Sequence, residues 1–305
     1  MSASIFRMRL PATSANLGSG FDTAAVALSF FLDVEASQAT EFSISATGID
    51  GDQCSRLENN LILDTYTRIL EENSRPVTPL VVRMHNDIPL GMGCGSSAAG
   101  RLAAIAMAVR FGKLEWSSER ILEKACELEG HPDNASACWL GGFVAAASEN
   151  GRIHVARVEP PSEWRAIVVQ PSEALATSKA RAALPASYSS AEVVANLQAV
   201  SMLGLAFAQN RGDLLRPAMQ DRIHQPYRTR MCPLLPALLP LAGNYGILGI
   251  ALSGAGPAVL AVIANEEGIE VASRAILDAM HALPRPGLLV CKFQSEGACQ
   301  FFNQE

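Results

Sequence analysis

Residues 88–100, Ile-Pro-Leu-Gly-Met-Gly-Cys-Gly-Ser-Ser-Ala-Ala-Gly, place three alternating glycines and two serines directly ahead of a small-residue segment of helical character. Gly91, Gly93 and Gly95 admit positive φ and close backbone approach, so successive N–H groups can converge on an anion. A helix opening at Ser96 and Ser97 aims its positive dipole end and its unpaired N–H groups at the same point. A P-loop requires a lysine directly after its last glycine. Here the next basic side chain is Arg101, so phosphates would be held by backbone amides, serine hydroxyls and a metal ion.

Two further glycine-rich segments share this character: Pro11-Ala-Thr-Ser-Ala-Asn-Leu-Gly-Ser-Gly-Phe-Asp22 and Leu252-Ser-Gly-Ala-Gly-Pro-Ala-Val-Leu260. Both follow or interrupt apolar runs, where a glycine costs about 1 kcal/mol relative to alanine. Three such placements argue for loops with a function.

The chain has 305 residues, of which 49% are hydrophobic, enough for one large domain or two ordinary ones. Its net charge of -6, with no basic run, lacks the footprint of a nucleic-acid binder. The N-terminus lacks the order of a secretory signal and no uninterrupted apolar stretch reaches bilayer length, so a soluble cytoplasmic protein without a membrane partner is expected. Seven cysteines without a C-x-x-C pair indicate reduced thiols. Cys94, inside the glycine loop, is expected to be a tolerated small side chain rather than a reactive thiol.

Periodicity predicts strands at 5–10 and 24–35 around the first glycine segment, a helix at 61–70, a strand at 80–84 and helices at 96–111 and 118–129. Strands follow near 142–147, 152–158 and 166–170. Helices are predicted at 190–208, with Val193, Leu197, Val200 and Gly204 on one face, and at 268–282; strands at 247–252, 258–263 and 288–293 complete an α+β pattern. The Pro160-Pro161 pair marks the expected boundary between an N-terminal domain, 1–160, and a C-terminal domain, 161–305.

The segment Glu127-Leu-Glu-Gly-His-Pro-Asp-Asn134 packs three carboxylates, an imidazole and an amide into eight residues. Phosphoryl transfer needs a cation across the phosphates and groups that place the acceptor. Glu127 or Glu129 suits Mg²⁺, which takes oxygen ligands, and Asp133 suits an acceptor hydroxyl.

These four segments, in this order, resemble the motifs of the GHMP kinase superfamily and, within it, those of the homoserine kinases. The resemblance runs from residue 8 to about 262. It implies an α+β fold of two domains, ribosomal-S5-like and then ferredoxin-like, with ATP between them, and a homodimer. It further implies an ATP loop of Pro89, Leu90, Gly91, Met92, Gly93, Cys94, Gly95, Ser96, Ser97, Ala98 and Ala99, with Gly254 and Gly256 closing the site. Mg²⁺ would sit on Ser97 and Glu127, and Asp133, Asn134 and Glu127 would form the catalytic set. Asn16, Asp22, His131, Arg181 and Arg228 match the positions that hold L-homoserine. The chemistry agrees, since an amino acid needs a carboxylate, Asp22, for its ammonium group and guanidinium forks, Arg181 and Arg228, for its carboxylate. The chain departs from the family at Met92, commonly Arg or Lys, and at Cys94, commonly Leu.

Overall fold

The computed structural model describes residues 5–281 and 283–302. β1 (Phe6–Asn16) and β2 (Gly20–Gln38) form a long antiparallel pair. β3 (Ser43–Gly48) runs parallel to β4 (Leu80–Asn86), which pairs with the far end of β2. Near its start β2 also pairs with β5 (Phe143–Glu149), and β6 (Arg152–Val158) completes a mixed sheet in the order β3-β4-β2-β5-β6 with β1 on β2. The second sheet is antiparallel, with β7 (Arg165–Gln170) and β9 (Val259–Ile263) inside and β8 (Ile247–Leu252) and β10 (Gly287–Lys292) at its edges. The expected α+β architecture is therefore present.

The first glycine segment is more strand than loop. β1 runs through Thr13, Ser14 and Ala15, and the turn shrinks to residues 17–19. Positive φ at Asn16 (70°), Leu17 (45°) and Gly18 (81°) supplies the reversal. A Cβ on Gly18 would stand 1.9 Å from the Met219 carbonyl oxygen, so glycine is required by contact as well as by conformation.

On the N-terminal side lie α1 (Gly51–Cys54), α2 (Leu61–Glu72), α3 (Ser96–Gly112), α4 (Ser118–Glu129) and α5 (Asp133–Leu140). Apart from Arg101, every residue of α3 from Ala98 to Val109 is buried. Its alanines favour helix and present no bulk, so sheet and neighbouring helices can enclose it on all sides. Ser117 caps α4 by accepting from the Arg120 N–H, and Gly130 ends it at φ 81°. That turn delivers His131 and the start of α5 to one spot.

The C-terminal side carries α6 (Thr177–Ala182), α7 (Ser190–Ala208), α8 (Leu215–Ala218), α9 (Gln225–Arg228), α10 (Leu234–Leu238) and α11 (Ile269–Ala279), while α12 (Cys299–Phe302) returns to pack on β1 and Trp139. α7 opens with a capping box between Ser189 and Glu192. Its buried stripe is Ala199, Leu203, Ala206 and Phe207, while Val193 and Leu197 of the expected face are exposed. Periodicity gave the helix but not which apolar stripe meets the body. By length and composition α7 alone among the described helices could cross a membrane, although Glu192, Asn196 and Gln198 interrupt its apolar run. Its Asn196 instead donates to the Ser19 carbonyl and accepts from the Arg222 N–H. An aromatic cluster joins the two sheets: Phe207 stacks on Phe143 at 4.3 Å and meets Trp164 and Phe293 edge-on at 5.3 and 6.1 Å.

The three glycine-rich segments meet in space. Gly254 N–H donates to the Ala15 carbonyl (3.0 Å), Thr13 N–H to the Cys94 carbonyl (3.1 Å) and Ser253 Oγ to the Gly93 carbonyl (2.8 Å). A Cβ on Gly93 would lie 2.0 Å from the Ser253 carbonyl oxygen, and one on Gly95 would lie 1.9 Å from Thr13 Oγ1. Gly130 has a similar positive φ with open space around it. Gly130→Ala is therefore expected to cost about 1–2 kcal/mol, and Gly95→Ala about 1–3 kcal/mol more from overpacking. Urea denaturation checks this; equal losses would show that the close approach carries no weight.

Candidate active site

A cavity of about 290 Å³ opens where the three segments converge with the start of α5. Of the residues named from sequence, Asn16, Asp22, Gly91, Gly93, Gly95, Ser96, Ser97, His131, Asp133, Asn134, Arg181, Arg228 and Gly254 line it. Glu129, the alternative to Glu127 for the metal, lines it too, and Phe21, Arg101, Leu175 and Ala255 complete the wall. Met92 is half-buried, and Cys94, Ala98 and Ala99 are packed in the core behind the loop. Pro89 and Gly256 also lie outside the lining. Burial pushes the Cys94 thiol up to about 12, which agrees with an inert side chain.

On the loop side, Ser97 Oγ donates to Glu129 Oε1 at 2.6 Å, and Arg101 Nε lies 2.7 Å from the same oxygen. Glu127 is elsewhere: its carboxylate meets Lys124 Nζ at 2.8 Å and its side chain is 55% exposed. Two residues along a helix differ by about 200° in direction, so Glu127 and Glu129 cannot share a face of α4. The structure therefore corrects the choice of Glu127 and brings Glu129 to the loop. Ser97 and Glu129 are hard oxygen donors of the kind Mg²⁺ takes.

At the α5 end, Asp133 is buried. Its Oδ1 accepts from Asn134 N–H at 2.6 Å and meets His131 Nδ1 at 2.5 Å. These contacts engage Oδ1 and leave Oδ2 for a ligand. Thr13 Oγ1 donates to Asn134 Oδ1 at 2.6 Å, fixing the amide to β1. Burial opposes charge on His131, yet the bond to Asp133 and the nearby Asp22 and Glu129 outweigh it, so its pKa is raised.

Asp22 and Arg181 form a bidentate pair, with Nη2 and Nη1 at 2.6 and 2.9 Å from the two carboxylate oxygens. Asn16 Oδ1 accepts from the Asp22 N–H, and its Nδ2 donates to the Gly254 carbonyl. Arg228 is buried and differs from Arg181 in its partners. It donates to the Ala180 carbonyl at 3.3 Å and meets His224 Nδ1 at 3.1 Å, with no carboxylate partner among the described residues. Both guanidinium groups lie over the Phe21 ring, Arg181 at 5.5 Å and Arg228 at 5.4 Å.

A second cavity of about 260 Å³ shares Ser96 and Ser97 with the first. Leu32, Leu61, Ile62, Met84, Ile88 and Leu90 give it an apolar wall, and Asn60 and Asn86 a polar one. Of the expected ATP residues, Leu90 belongs here. Ile88, Ser96, Ser97 and Gly100 also come from the 88–100 segment, while the wall residues from 32 to 86 come from elements distant in sequence and lie in no motif that could have identified them.

Fold and site together define a small-molecule kinase of the GHMP class. The model of the GHMP kinases N terminal domain matches residues 60–142 and that of the GHMP kinases C terminal domain residues 205–282. The chain is 40% identical over 260 residues to the homoserine kinase of Solibacter usitatus, covering 85% of each protein. It is 36% identical over 255 residues to that of Deinococcus radiodurans, covering 84% of this chain and 83% of the relative. The crystal structure of homoserine kinase from Cytophaga hutchinsonii matches it with a TM-score of 0.81 at 25% identity, covering 97% of each chain. The chain belongs to the homoserine kinase family.

The raised His131 pKa has a defined sign. The pair with Asp133 stabilises the fold below the unfolded value of about 6.5, and this contribution fades as pH rises through the higher folded value. NMR titration of the ligand-free, metal-free protein should give a His131 midpoint above that of a free histidine. Asp133→Asn should lower it, because burial then acts with less opposition; an unmoved midpoint would contradict the assignment.

Proposed function

We propose that the protein transfers the γ-phosphoryl group of ATP to the side-chain hydroxyl of L-homoserine, giving O-phospho-L-homoserine. The observation that carries the acceptor's identity is Arg228, a buried guanidinium without a carboxylate partner, in the same cavity as Asp22 and Asp133. A buried charge without a counter-ion is costly, and a ligand carboxylate would complete it. The acceptor's ammonium group goes to Asp22, with Arg181 flanking the carboxylate and Asn16 holding the backbone under Asp22. An amino acid's ammonium group would share the Asp22 carboxylate with Arg181, a contact that a hydroxy acid such as mevalonate lacks.

The glycine loop and the first N–H groups of α3 receive the phosphates, and the apolar second cavity beyond Ser96 and Ser97 suits the nucleotide base. Ser97 and Glu129 would hold Mg²⁺, which when bound neutralises phosphate charge and orients the transferring group. Arg101, already on Glu129, adds a positive charge at that edge. Asp133 Oδ2 takes the acceptor hydroxyl and orients it for in-line attack, while His131 and Asn134 hold Oδ1. In a loose transition state the hydroxyl proton can leave late, so placement is the main demand on Asp133. This reading makes the protein a cytoplasmic enzyme of threonine biosynthesis acting as a homodimer.

Steady-state ADP release from MgATP tests the reading. Saturable turnover is expected with L-homoserine and little with mevalonate or L-serine. Glu129→Gln should lower kcat/KM on the order of a hundredfold or more, whereas Glu127→Gln should stay within about twofold, because its carboxylate faces Lys124 and solvent. Preference for mevalonate would overturn the acceptor assignment, and the reverse ranking of the two glutamates would overturn the metal site.

A further inference from the structure

His224 is fully buried, and three of its contacts lead to the site. Nδ1 lies 3.1 Å from Arg228 Nη1, Nε2 lies 2.9 Å from the Gly18 carbonyl oxygen, and the ring stacks on Phe21 at 5.1 Å. A guanidinium can only donate hydrogen bonds, so Nδ1 must present its lone pair. Nε2 therefore carries the proton and donates to Gly18. Only the neutral ring in this one tautomer satisfies both neighbours, since a protonated Nδ1 would set an N–H against an N–H.

The surroundings agree with that state. Asp221 Oδ2 stands 3.5 Å from Nε2, but this carboxylate already accepts the backbone N–H groups of Ile223, His224 and Gln225. Burial lowers the imidazole pKa; Asp221 opposes the fall and Arg228 adds to it. The other end of the arrangement is the Gly18 turn, which leads directly into Phe21 and Asp22. One ring thus bridges the Arg228 guanidinium and the segment bearing Asp22.

We propose that His224 is a positioning residue: as the neutral Nε2–H tautomer it fixes the Arg228 guanidinium for the acceptor's carboxylate and ties it to the turn that carries Asp22. The inference rests on the reading of Arg228 as the carboxylate site. Among the described residues the Arg228 guanidinium has two hydrogen-bond partners, the Ala180 carbonyl and His224, besides its place over the Phe21 ring, so loss of the second frees it to swing while leaving its charge in place.

Two variants separate the two nitrogens. In His224→Asn the amide oxygen can replace Nδ1 as acceptor for Arg228, while Gly18 loses its donor. In His224→Gln the amide reaches toward Gly18 and Arg228 loses its acceptor. The measurement is KM for L-homoserine, for ATP and for L-homoserinol, in which CH₂OH replaces the carboxylate. His224→Gln should raise the homoserine KM about tenfold, the equivalent of one lost hydrogen bond, with ATP and homoserinol constants unchanged. His224→Asn should have a clearly smaller effect.

Equal effects of the two variants, or a parallel loss with homoserinol, would reduce His224 to packing and overturn the proposal. Arg228→Met separates this failure from that of the underlying reading. If it impairs homoserine and homoserinol equally, Arg228 is not the carboxylate site. If it impairs homoserine alone while His224→Gln behaves as wild type, only the role of His224 falls. In the wild-type protein, imidazole ¹⁵N shifts near neutral pH should show the neutral Nε2–H ring; a charged or Nδ1–H ring would also overturn the proposal.

Discussion

The close approach of the glycine loop to the two segments flanking it is the constraint on which the rest of the molecule depends. At Gly93 and Gly95 there is no room for a single methyl group, because a carbonyl of the 252–260 segment and a hydroxyl of β1 already occupy it. Hydrogen bonds from Thr13, Ser253 and Gly254 hold the same junction. Parts of the chain some 80 and 240 residues apart are thereby set at fixed positions around one cavity. The helix α3 that receives the loop is buried from Ala98 to Val109 apart from Arg101, which anchors the first turn that faces the cavity.

The charges around this junction leave an opening for a ligand carboxylate. Asp22 and Arg181 neutralise each other in a bidentate pair, and Glu129 is matched by Arg101. Among the described residues Arg228 is the one guanidinium of the cavity with no carboxylate in hydrogen-bond contact. Buried ionic groups are tolerated where partners satisfy them and are expensive where they do not. The imbalance is local, beside Phe21 and Asp22, and gives an amino acid one orientation in which its hydroxyl can face Asp133 and the loop. The same arrangement explains why His224 must be neutral, since a further positive charge beside Arg228 would deepen the imbalance.

Much of this was legible in the sequence, and for physical reasons. Glycines at positive φ, a capped α4 and alternating apolar strands each leave a local pattern, so most of the longer elements and the glycine-loop side of the cavity followed from it, while Asn16, Asp22, His131, Arg181 and Arg228 were reached through the family resemblance. What failed was information carried by orientation. Glu127 and Glu129 are equivalent in composition, and only the winding of α4 decides which one faces Ser97. Likewise Val193 and Leu197 of α7 belong to an apolar stripe as plausible as the one that is buried. The second cavity and the bridge from Gly18 through His224 to Arg228 join residues far apart in sequence, which no spacing rule connects.

The account stands most directly on where the acceptor lies. A crystal structure with L-homoserine, Mg²⁺ and a non-hydrolysable ATP analogue should show the amino-acid carboxylate on the Arg228 guanidinium, the ammonium group at Asp22, and the hydroxyl between Asp133 Oδ2 and the terminal phosphate, with Glu129 and Ser97 at the metal. An acceptor whose carboxylate lies away from Arg228, or a metal held by Glu127, would contradict it.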